Sequence, residues 1–374
     1  MKLRSVWLAA ALVAVATGAS AQEKVVRSEK GDLRLTTVAS GLEAPWGLAF
    51  LPDGRMLVTE RPGRLRIVSA SGQLSAPLSG VPRVFAMGQG GLLDVALDPD
   101  FADNQVVYLS FSEPVDGKAR TAVARARLAA DRLEDVQVIF RQEPAVDARH
   151  HFGSRLVFDR EGRLFVTMGD RGTQRDSAQD LGTHIGTVAR INPDGTVPAD
   201  NPFVGREGAR PEIWSYGHRN IQGAFLHPAT GELWTHEHGP RGGDEINIAR
   251  AGLNYGWPVI TYGREYHGPK IGEGTARAGM EQPLHQWTPS IAPSGFVPYT
   301  ADAIPGWKDN LLVGALASMQ VARLEIGPDG KVTHEERIAI GERVRDVRQG
   351  PDGAVYLLTD MGPGSKILRL TRAR

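Results

Sequence analysis

Short apolar runs separated by tight turns recur along most of the chain. Each copy has an apolar pair, a turn of the Pro-Asp-Gly type and a second run rich in β-branched and aromatic residues. This pattern predicts two strands joined by a hairpin, because Asp-Gly and related pairs tolerate the positive φ of tight turns. Five clear copies lie at residues 48–60, 95–112, 156–170, 224–239 and 347–360, and a looser copy lies at 310–326.

The number of copies predicts the architecture. Six copies over about 350 residues leave roughly 60 residues each, enough for a four-stranded unit with long loops. Helical periodicity is scarce in the same part of the chain. We therefore predict an all-β fold, a six-bladed β-propeller with four-stranded antiparallel blades. The alternative is a large β-sandwich or two separate β domains. In a propeller, loops from all blades converge at one end of the channel, so polar residues far apart in sequence meet there.

The first 21 residues have the pattern of an export signal. Lys2 and Arg4 precede an apolar run at 6–16, and Ala19-Ser20-Ala21 fits a small-x-small cleavage site. The apolar run is too short to span a bilayer. We predict that residues 1–21 are a cleaved signal peptide and that 22–374 form a single propeller domain. The expected location is the periplasm or the extracellular space, with no membrane insertion.

Composition narrows the chemistry. Cysteine is absent from the 374 residues, which excludes Cys-ligated zinc, iron–sulfur clusters and thiol catalysis. The formal net charge is +0, so no global electrostatic argument favours nucleic acid. Nothing in the composition decides between a monomer and a homodimer.

Polar residues gather at the open ends of the predicted hairpins. His151 precedes one strand of the third copy and Asp170 follows the other, so the two are neighbours if 156–158 and 164–168 form a hairpin. A carboxylate beside an imidazole fixes its tautomer and suits a general base. The alternative is an ordinary loop histidine. His150 is expected to point the other way, as a structural or surface residue.

Three other segments offer polar groups for a ligand. Arg219 presents a fork of donors to an oxyanion or carboxylate, and Asn220 both donates and accepts. The alternative is an arginine–carboxylate pair that only organises the loop. Gln89 lies among glycines, which let backbone approach a ligand closely, although such a glutamine is often structural. Arg343 and Arg345 would share one face of a strand and attract an anion, or form a solvated edge.

The stretch HEHGPRGGDEIN at 236–247 has the residue types of a metal site. His236 and His238 make zinc conceivable, but no third histidine or cysteine follows at zinc spacing and HExxH is absent. A glycine-rich loop exposes backbone carbonyls, and Asp244 and Glu245 add carboxylates. Hard oxygen ligands of this kind suit calcium.

Taken together, these stretches resemble the soluble PQQ-dependent aldose sugar dehydrogenases. These quinoproteins, which include soluble glucose dehydrogenases and sorbosone dehydrogenase-like proteins, use pyrroloquinoline quinone (PQQ) and calcium. The resemblance covers nearly all of 22–374. Its specific pieces are GQGGLLDVALDPDF, SRLVFDREGRLFVTMGDRG, SYGHRNIQG, HEHGPRGGDEINIARAGLNYGWP and RVRDV, in this order. The family fold is a six-bladed propeller, which the repeats predict independently.

The resemblance implies oxidation of the anomeric hydroxyl of an aldose to a lactone. His151 would be the general base that takes the hydroxyl proton, while hydride passes from the anomeric carbon to calcium-bound PQQ. Asp170 would orient and charge-balance His151. Arg219 would stabilise negative charge on the quinone oxygen, and Gln89 would face both cofactor and substrate.

The resemblance also implies a PQQ-binding set, with one departure. Asn220, Arg343 and Arg345, with Arg219 and Gln89 from the catalytic set, would contact the cofactor, and His238 would contact its ring. Ala317 stands where the family usually carries a lysine that meets the PQQ surface. Its absence removes an attraction to a trianionic cofactor, worth about 1.5–3 kcal/mol.

Calcium would be held partly by backbone. The carbonyls of Gly239 and Pro240 would bind the ion that polarises the quinone. A second calcium would use Glu245 and Tyr255, the latter through side chain or backbone.

Two functions from other classes remain as alternatives. A non-catalytic ligand-binding propeller is favoured by Ala317 and disfavoured by the imidazole–carboxylate pair. A calcium-dependent lactonase-type hydrolase would centre its ion on side chains from several blades, whereas the arginines here suit an anionic cofactor better. The partners implied by the resemblance are an aldose, whose identity the sequence does not define, and a separate soluble or membrane electron acceptor.

Overall fold

Antiparallel strands account for nearly all regular structure in the computed structural model of the chain. It describes residues 23–373, so the predicted signal peptide at 1–21 lies outside the described residues. The strands in chain order are β1 (Glu23–Val26), β2 (Leu33–Glu43), β3 (Pro45–Phe50), β4 (Met56–Glu60), β5 (Arg64–Val68), β6 (Leu92–Leu97), β7 (Val106–Val115), β8 (Lys118–Leu128), β9 (Leu133–Arg141), β10 (Leu156–Phe158), β11 (Leu164–Thr167), β12 (Thr187–Ile191), β13 (Ile213–Tyr216), β14 (Ile221–Leu226), β15 (Leu233–Glu237), β16 (Asp244–Ala249), β17 (His285–Trp287), β18 (Pro293–Tyr299), β19 (Asn310–Ala315), β20 (Gln320–Ile326), β21 (Val332–Ala339), β22 (Val344–Gln349), β23 (Val355–Thr359) and β24 (Pro363–Arg372). The helices described are α1 (Phe101–Asn104) and a 3₁₀ turn at Arg175–Gln179. Neither is long and apolar enough to cross a membrane, and the described range contains no helix that is.

The strands form six sheets whose innermost strands meet in a ring. Four sheets are meanders of four consecutive strands, β6–β9, β10–β13, β14–β17 and β18–β21. The sheet β3–β5 has three strands, and an isolated bridge joins Val68 to Leu74 at its outer edge. The sixth has five, in the order β1-β2-β24-β23-β22. Strands β3, β6, β10, β14, β18 and β22 contact one another in a closed cycle. The predicted six-bladed propeller is confirmed, with one blade a strand short and one a strand long.

The two ends of the chain close the ring together. Strand β2 pairs with β24 from Leu33, opposite Arg372, to Glu43, opposite Pro363. Beyond the strands, the amide of Ala373 donates to the carbonyl of Asp32 at 2.9 Å. The sixth blade is thus assembled from both termini and held by hydrogen bonds and packing alone.

Apolar clusters fill the clefts between neighbouring blades. Strand β4 is buried along its whole length because blades cover both faces of its sheet. Its Leu57 packs in the cleft toward the second blade, and Val58 packs in the cleft toward the sixth. Each such buried side chain contributes about 1.5–3 kcal/mol. Burial on both faces explains why the sequence shows short apolar runs rather than strict alternation.

A buried charge network fills the channel. Arg155 bonds to Asp94 at 2.9 Å, and Arg348 bonds to Asp346 at 2.9 Å and to Asp94 at 3.3 Å. A Cβ on Gly47 would lie 2.7 Å from the Asp94 carboxylate, so glycine is needed for this close approach. The network closes the channel beneath one of its ends. We call that end the mouth, because the loops preceding β10, β14 and β22 meet there.

Candidate active site at the mouth of the propeller

Three connected cavities occupy the mouth. The arginine cavity, of about 380 Å³, is lined by Trp46, Arg61, Gly88, Gln89, Leu93, Phe152, Gly153, Gln222, His238, Ala292, Leu316, Ala317, Arg343, Arg345 and Asp360. The histidine cavity, of about 490 Å³, is lined by Gln89, His150, His151, Asp170, Arg171, Gly172, Thr173, Arg175, Arg219, Pro240, Trp257, Glu265, Tyr266 and Ile271. The outer cavity, of about 790 Å³, includes His238, Pro240, Arg241, Arg264, Tyr266 and Ala317. Shared lining residues make the three one crevice, with volumes typical of small-molecule sites.

His151 and Asp170 are neighbours, as the hairpin argument predicts. Strands β10 and β11 form the expected hairpin, and His151 Nδ1 lies 2.6 Å from Asp170 Oδ1. The Asp170 carboxylate is 1% exposed. It also accepts hydrogen bonds from the Gly172 amide at 2.7 Å and from Trp257 Nε1 at 2.8 Å. Because Nδ1 is engaged, Nε2 is the atom of His151 left to exchange a proton with a ligand.

The surroundings keep this pair in the ionisation states that a base needs. Burial lowers the pKa of His151, and the bond to Asp170 opposes that effect only in part. Burial acts to raise the pKa of Asp170, but the hydrogen bond from His151 and the charge of Arg219 bring it below its usual value. At neutral pH the pair is therefore a neutral imidazole beside a carboxylate.

The loop that carries His151 is held in an uncommon backbone conformation. His151 has a φ of 52°, in the left-handed region that side chains rarely adopt. Its amide donates to Gln89 Oε1 at 2.8 Å. Arg171 stacks on Phe152 at 3.7 Å and donates to the carbonyls of Ala119 and Ala148, both at 2.8 Å. Strained residues of this kind cluster at functional sites, where surrounding contacts hold them.

The arginine cavity has an excess of positive charge. Arg345 pairs with Asp360 at 2.9 Å, while Arg61 and Arg343 have no carboxylate partner within the described residues. Burial acts to raise the pKa of Asp360, but the nearby guanidiniums, led by Arg345, hold it below its usual value. Arg345 Nε is buried without a hydrogen-bond partner in residues 23–373. Three guanidiniums against one carboxylate fit a flat ligand that carries several anionic oxygens.

Other predicted cofactor residues divide between the cavity wall and the layer behind it. Gln89 lines both the arginine and the histidine cavities. His238 lines the arginine cavity, and its Nε2–H donates to the Pro293 carbonyl at 2.6 Å. Burial lowers the pKa of His238 well below the usual value. Ala317 is exposed on the same wall. Asn220 is 1% exposed and instead accepts from the Gly153 amide at 3.2 Å, which places it behind the wall of these cavities.

Arg219 links the histidine cavity to the 236–247 loop. Its guanidinium donates to the carbonyls of His238, at 2.9 Å, and Gly239, at 2.8 Å. It lies 5.3 Å over the ring of Trp257. Within residues 23–373 the Arg219 guanidinium forms no ion pair with a carboxylate, so the alternative of a loop-organising pair is not observed there. The carbonyl expected to bind calcium is therefore also an acceptor for Arg219.

A fourth, smaller cavity lies beneath that loop. This glutamate cavity, of about 10 Å³, is bordered by Arg219, Glu237, Gly239, Glu245, Tyr255 and Thr261, among others. That volume is roughly the minimum for one water molecule. Burial, followed by repulsion from Glu237, raises the pKa of Glu245 to about 8. The Glu237 carboxylate accepts from His218 at 2.9 Å.

Some residues of the 236–247 stretch have structural partners instead. His236 is fully buried, lies 5.0 Å from the Phe296 ring, and lines none of the four cavities. Burial lowers its pKa to about 3. Asp244 accepts from the Gly239 amide at 2.9 Å and from Ile291 at 2.8 Å. Residues 23–373 contain no cluster of three or more His, Asp or Glu side chains placed to hold a metal. A cation at the glutamate cavity would rely on two carboxylates with backbone, hydroxyl or water oxygens.

Sequence reasoning missed several residues of the site. Trp257 lies 87 positions beyond its partner Asp170, and Arg61 reaches the arginine cavity from the first blade. Glu237 was overlooked because it stands between the two histidines that drew attention. Trp257 lies in NYGWP, part of one of the segments that carry the family resemblance, but the sequence alone assigned it no function. Two other missed lining groups also lie in segments named from the sequence, Gln222 in SYGHRNIQG and Asp360 at the end of the copy at 347–360, but neither was given a role.

Comparison with known proteins identifies the family of the chain. The family model described as Glucose / Sorbosone dehydrogenase matches residues 42–369. Aldose sugar dehydrogenase YliI of Escherichia coli (strain K12) is 51% identical over 331 residues, which cover 86% of this chain and 89% of that protein.

Two solved structures share the fold over nearly the full chain. The soluble aldose sugar dehydrogenase of Escherichia coli in its apo-form superposes with a TM-score of 0.88 at 46% identity, covering 91% of this chain and 100% of that one. The PQQ-bound aldose sugar dehydrogenase of Streptomyces coelicolor has a TM-score of 0.74 at 29% identity, covering 95% and 99%. Matched along most of its length, the chain belongs to the glucose and sorbosone dehydrogenase family of oxidoreductases.

Proposed function

We propose that this protein oxidises the anomeric hydroxyl of aldoses to lactones with PQQ as the resident cofactor. The observation that carries the proposal is the His151–Asp170 pair, set beside a cavity whose walls carry Arg61, Arg343 and Arg345. A neutral imidazole next to an excess of guanidiniums is what proton abstraction near an anionic redox cofactor requires.

The residues present fit both implied groups. Three guanidiniums and the unpartnered Arg345 Nε suit the carboxylates and carbonyls of PQQ, with Gln89 and His238 on the same wall. When bound, PQQ would supply the two-electron acceptor. The glutamate cavity suits a hard cation such as calcium, because a cation there would offset the burial and the repulsion from Glu237 that raise the pKa of Glu245. Gly239 and Pro240 border the adjoining cavities with carbonyls as oxygen donors, and Tyr255 borders the glutamate cavity.

Each residue of the histidine cavity then has a task. His151 Nε2 accepts the anomeric hydroxyl proton as the C1–H bond breaks. Asp170 fixes the tautomer through Nδ1 and stabilises the imidazolium that forms. Arg219, on the same cavity wall, would supply a positive charge beside the bound cofactor. Gln89 holds the His151 backbone in its strained conformation.

The two alternatives find less support. A non-catalytic propeller would have no use for a strained, buried base beside a carboxylate. A lactonase-type hydrolase would need a channel cation held by side chains of several blades, whereas the channel here is filled by the Arg155–Asp94 and Arg348–Asp346 pairs.

Reconstitution tests the proposal. The purified protein is stripped with a chelator and then given calcium and PQQ, singly and together, while reduction of an artificial dye is followed with a panel of aldoses. We expect activity only with both additions, and only with sugar present. Turnover without PQQ, or a failure of PQQ to bind, would overturn the assignment.

A further inference from the structure

The next inference rests on the proposed function and concerns how the reduced enzyme passes on its electrons. Each aldose oxidised loses two electrons and two protons, from its C1–H and its hydroxyl. To regenerate the enzyme, a second substrate must take both electrons, and the two protons pass to solvent. A one-electron carrier would do so in two encounters, with two carriers reduced for each lactone formed.

Exposed apolar side chains concentrate at the mouth. Four of the seven large apolar side chains exposed in the described residues lie there: Met87 at 44%, Tyr266 at 70%, Met319 at 42% and Met361 at 51%. They come from loops of four different blades. Tyr266 lines two of the cavities, and the three methionines lie within two residues of Gly88, Ala317 and Asp360, which line the arginine cavity. Methionine and tyrosine are enriched in protein interfaces, and methionine adapts to irregular partners.

A row of cations stands on the same face. The Arg241 amide donates to Arg264 O at 3.0 Å and the Arg264 amide donates to Arg241 O at 3.3 Å, so the two residues are directly opposite each other. Arg264 also bridges to Lys270. All three side chains are exposed, and in residues 23–373 none forms an ion pair. Like charges directly opposite each other repel, and an anionic partner would relieve that repulsion.

We propose that the mouth face docks a small acidic one-electron carrier protein. This docking face consists of Met87, Tyr266, Met319, Met361 and the cations Arg241 and Arg264. The apolar residues come from four blades around the crevice, and an exposed apolar set of this kind suits a macromolecular partner. The cations accelerate encounter with a negatively charged carrier, and contact over the crevice brings its redox centre close to the arginine cavity.

The test compares three acceptors on the reconstituted enzyme at saturating aldose. They are an acidic monohaem cytochrome, a basic monohaem cytochrome and a small neutral dye. We expect the acidic cytochrome to be reduced faster than the basic one, with a rate that falls as salt rises. Arg264→Glu should lower kcat/KM for the acidic cytochrome about tenfold at low salt, within the range of electrostatic steering, and this loss should be much larger than any change in the rate of dye reduction. Arg241→Glu provides an independent second variant.

Arg206 offers a matched control, because it is exposed, forms no ion pair in residues 23–373 and lies in the loop between β12 and β13. Arg206→Glu makes the same charge change and should leave all three rates unaltered. The proposal is overturned by equal losses in Arg264→Glu and Arg206→Glu, or by preference for the basic cytochrome. A third outcome also overturns it. If Arg264→Glu slows the oxidation of a uronate with the dye as acceptor and leaves the cytochrome rates unchanged, the face is a subsite for an anionic sugar. If the parent protein does not reduce the dye at all, the proposed function itself is wrong.

Discussion

Glu237 and Glu245 stand directly opposite each other on β15 and β16, and both border one cavity the size of a water molecule. Like charges in this position repel, and burial adds to the cost of ionising both. The consequence is visible in Glu245, whose pKa is raised to about 8 by burial and by Glu237. At this pair a proton and the proposed calcium ion would compete.

Stability without calcium should therefore fall as pH rises. A carboxyl whose folded pKa lies above its unfolded value binds its proton more tightly when folded, so its contribution is full below the unfolded pKa near 4.5 and is lost as pH rises toward about 8. Thermal unfolding of the calcium-free protein across this window measures the effect. Calcium should stabilise more at pH 8 than at pH 5, since it no longer displaces a proton.

Glu245→Gln separates this site from other effects. Without the buried charge, we expect the calcium-free protein to gain about 1–3 kcal/mol at pH 8, the range for an uncompensated buried polar group. Its stability should also respond less to calcium. Glu273→Gln, on an exposed loop, is the matched control. An unchanged calcium response in Glu245→Gln would contradict the assignment.

His151→Ala should abolish turnover and leave PQQ binding largely intact. General-base catalysis contributes about 10²–10⁴-fold, and His151 lines the histidine cavity but not the arginine cavity. Steady-state dye reduction and PQQ titration measure the two effects separately. His150→Ala is the control, because the His150 ring has no hydrogen-bonded carboxylate in the described structure, and it should retain activity within about tenfold of the parent. Equal losses in the two variants would refute the role of His151.

The Trp257–Asp170 bond should set the pH dependence. Burial holds the His151 pKa below 6.5, so activity is expected to fall only as pH drops through that lower value. Trp257→Phe keeps a ring beneath Arg219 but removes the donor to Asp170 Oδ2. The carboxylate then becomes a stronger acceptor for His151, so the acid limb of kcat/KM should move to higher pH. We expect a loss of about tenfold, in line with 1.5–3 kcal/mol for a hydrogen bond to a charged group. An unmoved acid limb would mean that Trp257 serves packing alone.

Ala317→Lys should tighten PQQ binding. The residue is exposed on the wall of the arginine cavity, so a lysine there adds a cation facing the ligand space. A charge-assisted contact of about 1.5–3 kcal/mol corresponds to roughly ten- to a hundredfold in affinity. Titration with PQQ under excess calcium provides the measurement, and Ala317→Gln controls for side-chain length. Equal affinities in the parent and the lysine variant would show that Arg61, Arg343 and Arg345 already suffice.

The sequence predicted those features of the fold and the site that depend on strands adjacent in the chain. The His151–Asp170 contact follows from a hairpin whose open ends lie side by side, and the repeat number gives the blade number. Arg343 and Arg345 both line the arginine cavity. They do not share one face of a strand as expected, because Arg343 precedes β22 and the register shifts after Val344. Contacts between distant blades were not predictable. Trp257 contacts Asp170, and Arg61 lies in the same cavity as Arg345, only because the ring brings distant segments together. No local periodicity in the sequence predicts these contacts.

The pairing of β2 with β24 makes ring closure depend on the order in which the chain appears. Strand β2 lies near the start of the described residues and its partner β24 near their end, so β2 keeps an open edge until β24 has been made. Open strand edges are templates for aggregation. A chain truncated before Pro363 would leave two such edges, on β2 and β23, and an incomplete sixth blade. Pairing of the ten-residue strand β24 therefore both covers these edges and closes the ring that supports the crevice at the mouth.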